Sequence, residues 1–72
     1  MNNAMSDVVV ENMGTIVRFG LFSQDAIEFV DEWIDVPDWA WMGNIYFHVE
    51  PRYAGDIVGY MYEAGLSVQE GY

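Results

Sequence analysis

The chain has no cysteine and no lysine. Without cysteine there is no disulfide staple and no thiolate metal site. Without lysine, the only fixed cations are Arg18 and Arg52, set against twelve Asp and Glu residues, for a formal net charge of −10 over 72 residues. That balance opposes direct contact with nucleic acid or anionic lipid. Histidine occurs once, at His48, and proline only at Pro37 and Pro51. No apolar run approaches the roughly 20 residues that span a bilayer. The N-terminus also lacks the basic and apolar regions of a secretion signal. The expectation is a cytoplasmic protein with no membrane contact and no cofactor.

Apolar residues make up 53% of the chain and aromatics 17%, which favours a folded core over disorder despite the charge. A chain this short makes one domain. It buries only about 60% of its unfolded surface, so stability is marginal.

The acids are not spread evenly. Asp25, Glu28, Asp31, Glu32, Asp35 and Asp38 lie in one segment, and no basic residue stands between Arg18 and Arg52. Reading residues 24 to 35 as a helix and advancing about 100° per residue puts the first five of these acids within an arc of roughly 120°. Ala26, Ile27, Val30, Trp33 and Ile34 fall opposite, with Phe29 at the border. Five carboxylates over ~15 Å of axis give one charge per ~3 Å, against one per ~3.4 Å along a DNA strand. A solvated outer face is the alternative reading. Ordinary surface helices, however, mix charge signs and gain support at i,i+4. Here Glu28/Glu32 and Asp31/Asp35 are like-charged. A run of this kind destabilises a compact state unless a partner supplies positive charge.

The remaining elements follow from pattern. Residues 1–13 read as an N-terminal tail or edge strand, with Val8 to Val10 β-prone and Met5 a second candidate start. Residues 14–72 read as a single small α+β domain. Thr15 to Phe22 alternates as a strand, with Val17, Phe19 and Leu21 on one face. Ser23 is the expected N-cap of the acidic helix, which Pro37 limits to about Asp35. Trp39 to Met42 and Ile45 to Glu50 form the two arms of an expected hairpin around a two-residue Gly43-Asn44 turn. A looser arrangement leaves Trp39 to Trp41 as a loop. Pro51 opens a second helix, with Gly65 past its end, and Leu66 to Glu70 is a last strand. Gly55 and Gly59 interrupt that helix and suggest close packing. The order β-α-β-β-α-β resembles the ferredoxin-like pattern, two helices on one face of an antiparallel sheet.

No catalytic, metal or cofactor constellation stands out. His48 has no nucleophile or second base beside it in the sequence pattern. Asp31, Glu32 and Asp35 do not match a calcium loop. The stretch Gly43 to Val49 resembles the third-strand motif of RNA-recognition domains, but Met42 stands where a basic residue is needed and the net charge opposes RNA. The aromatics Trp39, Trp41, Tyr46, His48, Phe22 and Tyr53 are expected to expose rings on the sheet face away from the helices. Tyr and Trp anchor protein–protein contacts.

Through Asp25, Glu28, Asp31, Glu32, Asp35 and Asp38, its size and its acidity, the chain resembles small phage proteins that disarm bacterial defence, the anti-CRISPR and anti-restriction proteins, some of which imitate DNA. The resemblance implies a non-enzymatic, stoichiometric inhibitor. It would occupy the Lys- and Arg-lined DNA channel of a CRISPR effector complex, or the DNA site of a restriction enzyme. The partner surface is then the six acids together with Trp39, Trp41 and Tyr46. The competing expectation is a self-associating assembly module, a homodimer through the aromatic sheet face.

Overall fold

A computed structural model describes residues 6–71. Met5, the alternative start, lies outside the described residues, as do residues 1–4 of the tail. The elements are β1 (Val8–Asn12), β2 (Val17–Leu21), α1 (Gln24–Trp33), a 3-10 turn (Asp38–Ala40), β3 (Trp41–Met42), β4 (Tyr46–Val49), α2 (Pro51–Glu63) and β5 (Val68–Gly71). They make an α+β domain with one five-stranded mixed sheet, in the order β3-β4-β2-β1-β5.

The sheet differs from the expectation in two ways. The N-terminal strand is internal, not a tail or an edge. It pairs antiparallel with β2 and parallel with β5, so the sheet is not wholly antiparallel. The reason lies in its side chains. Val8 and Val10 are both completely buried, and a strand that buries alternate valines this deeply needs a neighbour on either side. Asp7 fixes the parallel register. Its amide donates to Ser67 Oγ at 2.8 Å, and its carboxylate accepts from the Ser67 amide at 2.9 Å. A hydrogen bond from the Ser23 side chain, and next that from the Ser67 amide, holds the Asp7 carboxyl below its ordinary pKa.

One core serves the whole domain. Val8, Val10, Val17, Phe19, Leu21 and Phe47 line one face of the sheet and meet Ala26 and Val30 of α1 and Ala54, Ile57, Val58 and Met61 of α2. Phe19 and Phe47 are register partners whose rings stack with centroids 5.0 Å apart. The opposite face carries Val9, Glu11, Arg18, Gly20, Tyr46 and His48, as strand alternation requires. Among the described residues no helix is long and apolar enough to cross a membrane.

Several local expectations hold. Ser23 Oγ accepts from the Ala26 amide at 3.1 Å. Gly65 adopts φ +85° after α2, its amide bonds Tyr62 O, and the Leu66 amide bonds Met61 O. That double closure is the Schellman ending, with Leu66 and Met61 both in the core. Gly55 and Gly59 do not serve close packing: a Cβ at either position would meet nothing within 4 Å.

Candidate partner-binding surface

The acidic helix is two-sided, as its sequence demands. Ala26 and Val30 are buried and Ile27 and Phe29 are half-buried, while Asp25, Glu28, Asp31 and Glu32 are exposed. Asp25 occupies the first turn, where the helix dipole favours an anion. Glu28 accepts from Gln24 Nε2 at 3.1 Å, which does nothing to neutralise it.

The helix ends at Trp33, two residues short of the expected boundary, and Ile34 is already extended. The cause is packing. Ile34 and Val36 are both half-buried against the core, with Asp35 exposed between them. An extended chain puts residues two apart on one side, whereas in a helix they would point about 200° apart. Asp35 therefore leaves the helical stripe, and Asp38 opens the 3-10 turn. Four acids, not five, share the helix face.

Neither arginine meets these acids. Arg18 pairs with Glu11 across β1 and β2, and its guanidinium lies 5.0 Å from the centre of the Tyr46 ring. Arg52 pairs with Glu50 at 2.8 Å and lies 4.8 Å from the Tyr53 ring centre. The two fixed cations of the chain are thus committed elsewhere.

The expected aromatic face divides. Tyr46 and Phe22 lie together edge-to-face, their centroids 5.9 Å apart, on the open side of the sheet. Trp41 lies on the other side, half-buried against Phe47 with centroids 5.2 Å apart. The hairpin explains the division. Its turn has three residues, Gly43 to Ile45, so Met42 pairs with Tyr46 and Trp41 with Phe47. A two-residue turn would have set Trp41 opposite Tyr46, and a one-residue slip exchanges the faces. The expected hairpin arm at Trp39 is likewise corrected, because Asp38 to Ala40 form the 3-10 turn. Trp39 is 77% exposed and meets the His48 ring edge-to-face, centroids 6.3 Å apart.

Trp33 corrects a further expectation. It is 69% exposed, not in the core, because Val30 and the extended Ile34 fill the space beneath the helix end. It forms one wall of a groove of about 610 Å³ between the end of α1, the segment leading to β3, the end of β4 and the first turns of α2. Trp39, His48, Tyr53 and Tyr60 share the groove, with Asp35, Glu50 and Asp56 among them. Trp33, Ile34 and Tyr60 also line a second depression with Phe29 and Glu63, so the furrow continues between the helices. On the other flank of α1, Glu28 and Asp31 border a smaller hollow of about 420 Å³ with Trp41 and the Gly43-Asn44 turn.

The structure therefore brings Glu28 and Asp31 to Trp41, and Asp35 to Trp39. It leaves Tyr46 on the opposite side of the sheet. Sequence reasoning missed Trp33 and Tyr60. The available signal was Tyr60 lying off the Ala54–Ile57–Val58–Met61 stripe of α2; that it faces the end of α1 required the tertiary structure. No group of three or more metal-ligating side chains occurs among the described residues. Comparison with protein-family models, curated proteins and solved structures returns no match.

Proposed function

We propose that the protein is a stoichiometric inhibitor that binds a basic nucleic-acid-binding protein through the exposed face of α1 and blocks that partner's DNA site. The observation that carries this reading is the face of Asp25, Glu28, Asp31 and Glu32, to which the chain offers neither of its arginines. Like charges held this close oppose folding, and a Lys- and Arg-lined channel would turn the same charges into attraction. Trp41, beside Glu28 and Asp31, supplies an apolar contact at the edge of the charged face. The partner class that fits is a CRISPR effector complex or a restriction enzyme of the bacterial cytoplasm, and the action needs no chemistry. In fold, we read β2, β3, β4 and β5 with the two helices as a ferredoxin-like arrangement into which β1 is inserted between β2 and β5.

The test is competition. Adding the protein to such an enzyme should abolish binding of labelled target duplex near one equivalent. E28Q/D31N/E32Q should weaken that effect by roughly 3- to 150-fold, the sum of three exposed charge contacts of roughly 0.2–1 kcal/mol each. Equal potency of the variant would overturn the charge-based reading.

A second reading, self-association, rests on the open sheet face, where Val9, Phe22 and Tyr46 are half-buried and Met42 is exposed with no helix over them. A monomer at all concentrations in analytical ultracentrifugation would remove it.

A further inference from the structure

Both arginines of the chain are held by one combination of groups. A carboxylate, Glu11 or Glu50, accepts from the guanidinium, and an aromatic ring, Tyr46 or Tyr53, lies close to it. Planar guanidinium suits both contacts, since it donates in its plane and stacks through its face, whereas an ammonium is compact and more strongly hydrated. The pair formed by Arg52 and Glu50 sits in the wall of the groove between the helices. The rest of that groove repeats the same parts without a cation. Trp33 and Trp39 are 69% and 77% exposed, and Asp35 and Asp56 stand beside them while the arginines engage Glu11 and Glu50.

We propose that this groove receives arginine side chains from a basic segment of the partner protein, their guanidiniums stacking on Trp33 and Trp39 and donating to Asp35 and Asp56. The inference rests on the reading of a basic protein partner and names the chemistry that partner must present. The groove's volume of about 610 Å³ lies within the roughly 300–1,000 Å³ of ligand sites. The occupant is not a second copy of this chain, because the sequence contains only Arg18 and Arg52 and no lysine. Nucleic acid is opposed by the carboxylates of Asp35 and Asp56.

The experiment is fluorescence anisotropy with fluorescein-labelled hexa-arginine and hexa-lysine peptides at about 150 mM salt, where longer-range attraction is screened. The wild-type protein should bind hexa-arginine about tenfold more tightly than hexa-lysine, because only guanidinium gains stacking and bidentate contact. W33A/W39A should bring the two peptides to within about twofold of each other by removing the stacking rings. Both side chains are exposed, so the circular dichroism spectrum should be unchanged. E28Q/D31N/E32Q should weaken both peptides alike and preserve their ratio. Equal affinity for the two peptides, binding of neither, or a ratio that survives W33A/W39A would overturn the groove. A W33A/W39A protein that still displaces DNA from its target overturns the groove's role in that partner while leaving the α1 reading intact. Loss of DNA displacement in E28Q/D31N/E32Q with the peptide ratio retained is the pattern expected if both are right.

Discussion

On the open side of the sheet, Arg18 lies between Glu11 and the ring of Tyr46, so each group has a partner within the chain. On the helix side, Asp25, Glu28, Asp31 and Glu32 stand exposed on α1 while both arginines pair with other acids. The two sides differ in what they contribute. The sheet side closes its own electrostatics and adds a little to folding. The helix side anchors the domain through Ala26 and Val30 but presents outward a charge that works against it. A domain this small has little stability to spare. An outward face that lowers it is best understood through what the face meets.

Phe47 and Tyr46, neighbours on β4, separate the two sides of the sheet most sharply. Phe47 is completely buried under the helices and Tyr46 is half-buried on the open side. F47A should lose about 3–5 kcal/mol, a large part of the total for 72 residues, while Y46A should lose about 1–2 kcal/mol. Chemical denaturation measures both. Comparable losses would mean the open side carries as much of the fold as the covered side.

Glycine provides a second contrast. A Cβ at Gly20 would lie 2.7 Å from Phe22 Cε2 and 2.9 Å from Tyr46 Cε1, so both rings must shift, and G20A should cost about 1–2 kcal/mol. G55A meets open space on α2 and should instead stabilise by about 0.5–1 kcal/mol. Thermal melts should show shifts of opposite sign, each roughly 4–8 °C per kcal/mol for a domain of this size.

The charge of the helix side predicts a dependence on salt. At neutral pH, raising salt from about 10 to 300 mM should raise the melting temperature by a few degrees, because screening relieves repulsion along α1. E28Q/D31N/E32Q should be more stable than the parent at low salt, by about 0.2–0.5 kcal/mol for the Glu28/Glu32 pair alone, and the gap should close at high salt. Flat melting temperatures in both proteins would show that the acids do not burden the fold.

Asp7 predicts the smallest effect, read as a dependence on pH. Its folded pKa lies below the ordinary 3.8, so its contribution is present above that value and is lost as pH falls through the lower folded value. D7N should therefore be slightly less stable than the parent at pH 6. The difference should vanish in acid below the ordinary carboxylate range, as unfolding at a series of pH values would show.

Much of the fold was legible where a residue's meaning is local. Ser23 caps α1, Gly65 closes α2, and the alternation of Val17, Phe19 and Leu21 sets the buried face of β2. Illegible were features that depend on distant partners. Nothing within Val8 to Val10 says that β5 will pair with it in parallel. The end of α1 depended on Ile34 and Val36 reaching the core together, which moved Asp35 off the stripe and left Trp33 outside. One extra residue in the Gly43 turn was enough to set Trp41 and Tyr46 on opposite faces. The acidic face of α1 survived because four of its members need only helical geometry, whereas the groove of Trp33, Trp39, Tyr53 and Tyr60 draws on α1, the 3-10 turn and α2, and required the tertiary structure.

The most direct test of the central claim is a paired capture from bacterial lysate at low salt, using tagged wild-type protein and tagged E28Q/D31N/E32Q, with mass spectrometry of what a salt step releases. The wild type should retain a nucleic-acid-binding defence enzyme that elutes with salt, and the variant should retain little of it. Recovery of the same proteins by both, or of the chain alone by both, would contradict the claim that the face of α1 is kept acidic for a basic partner.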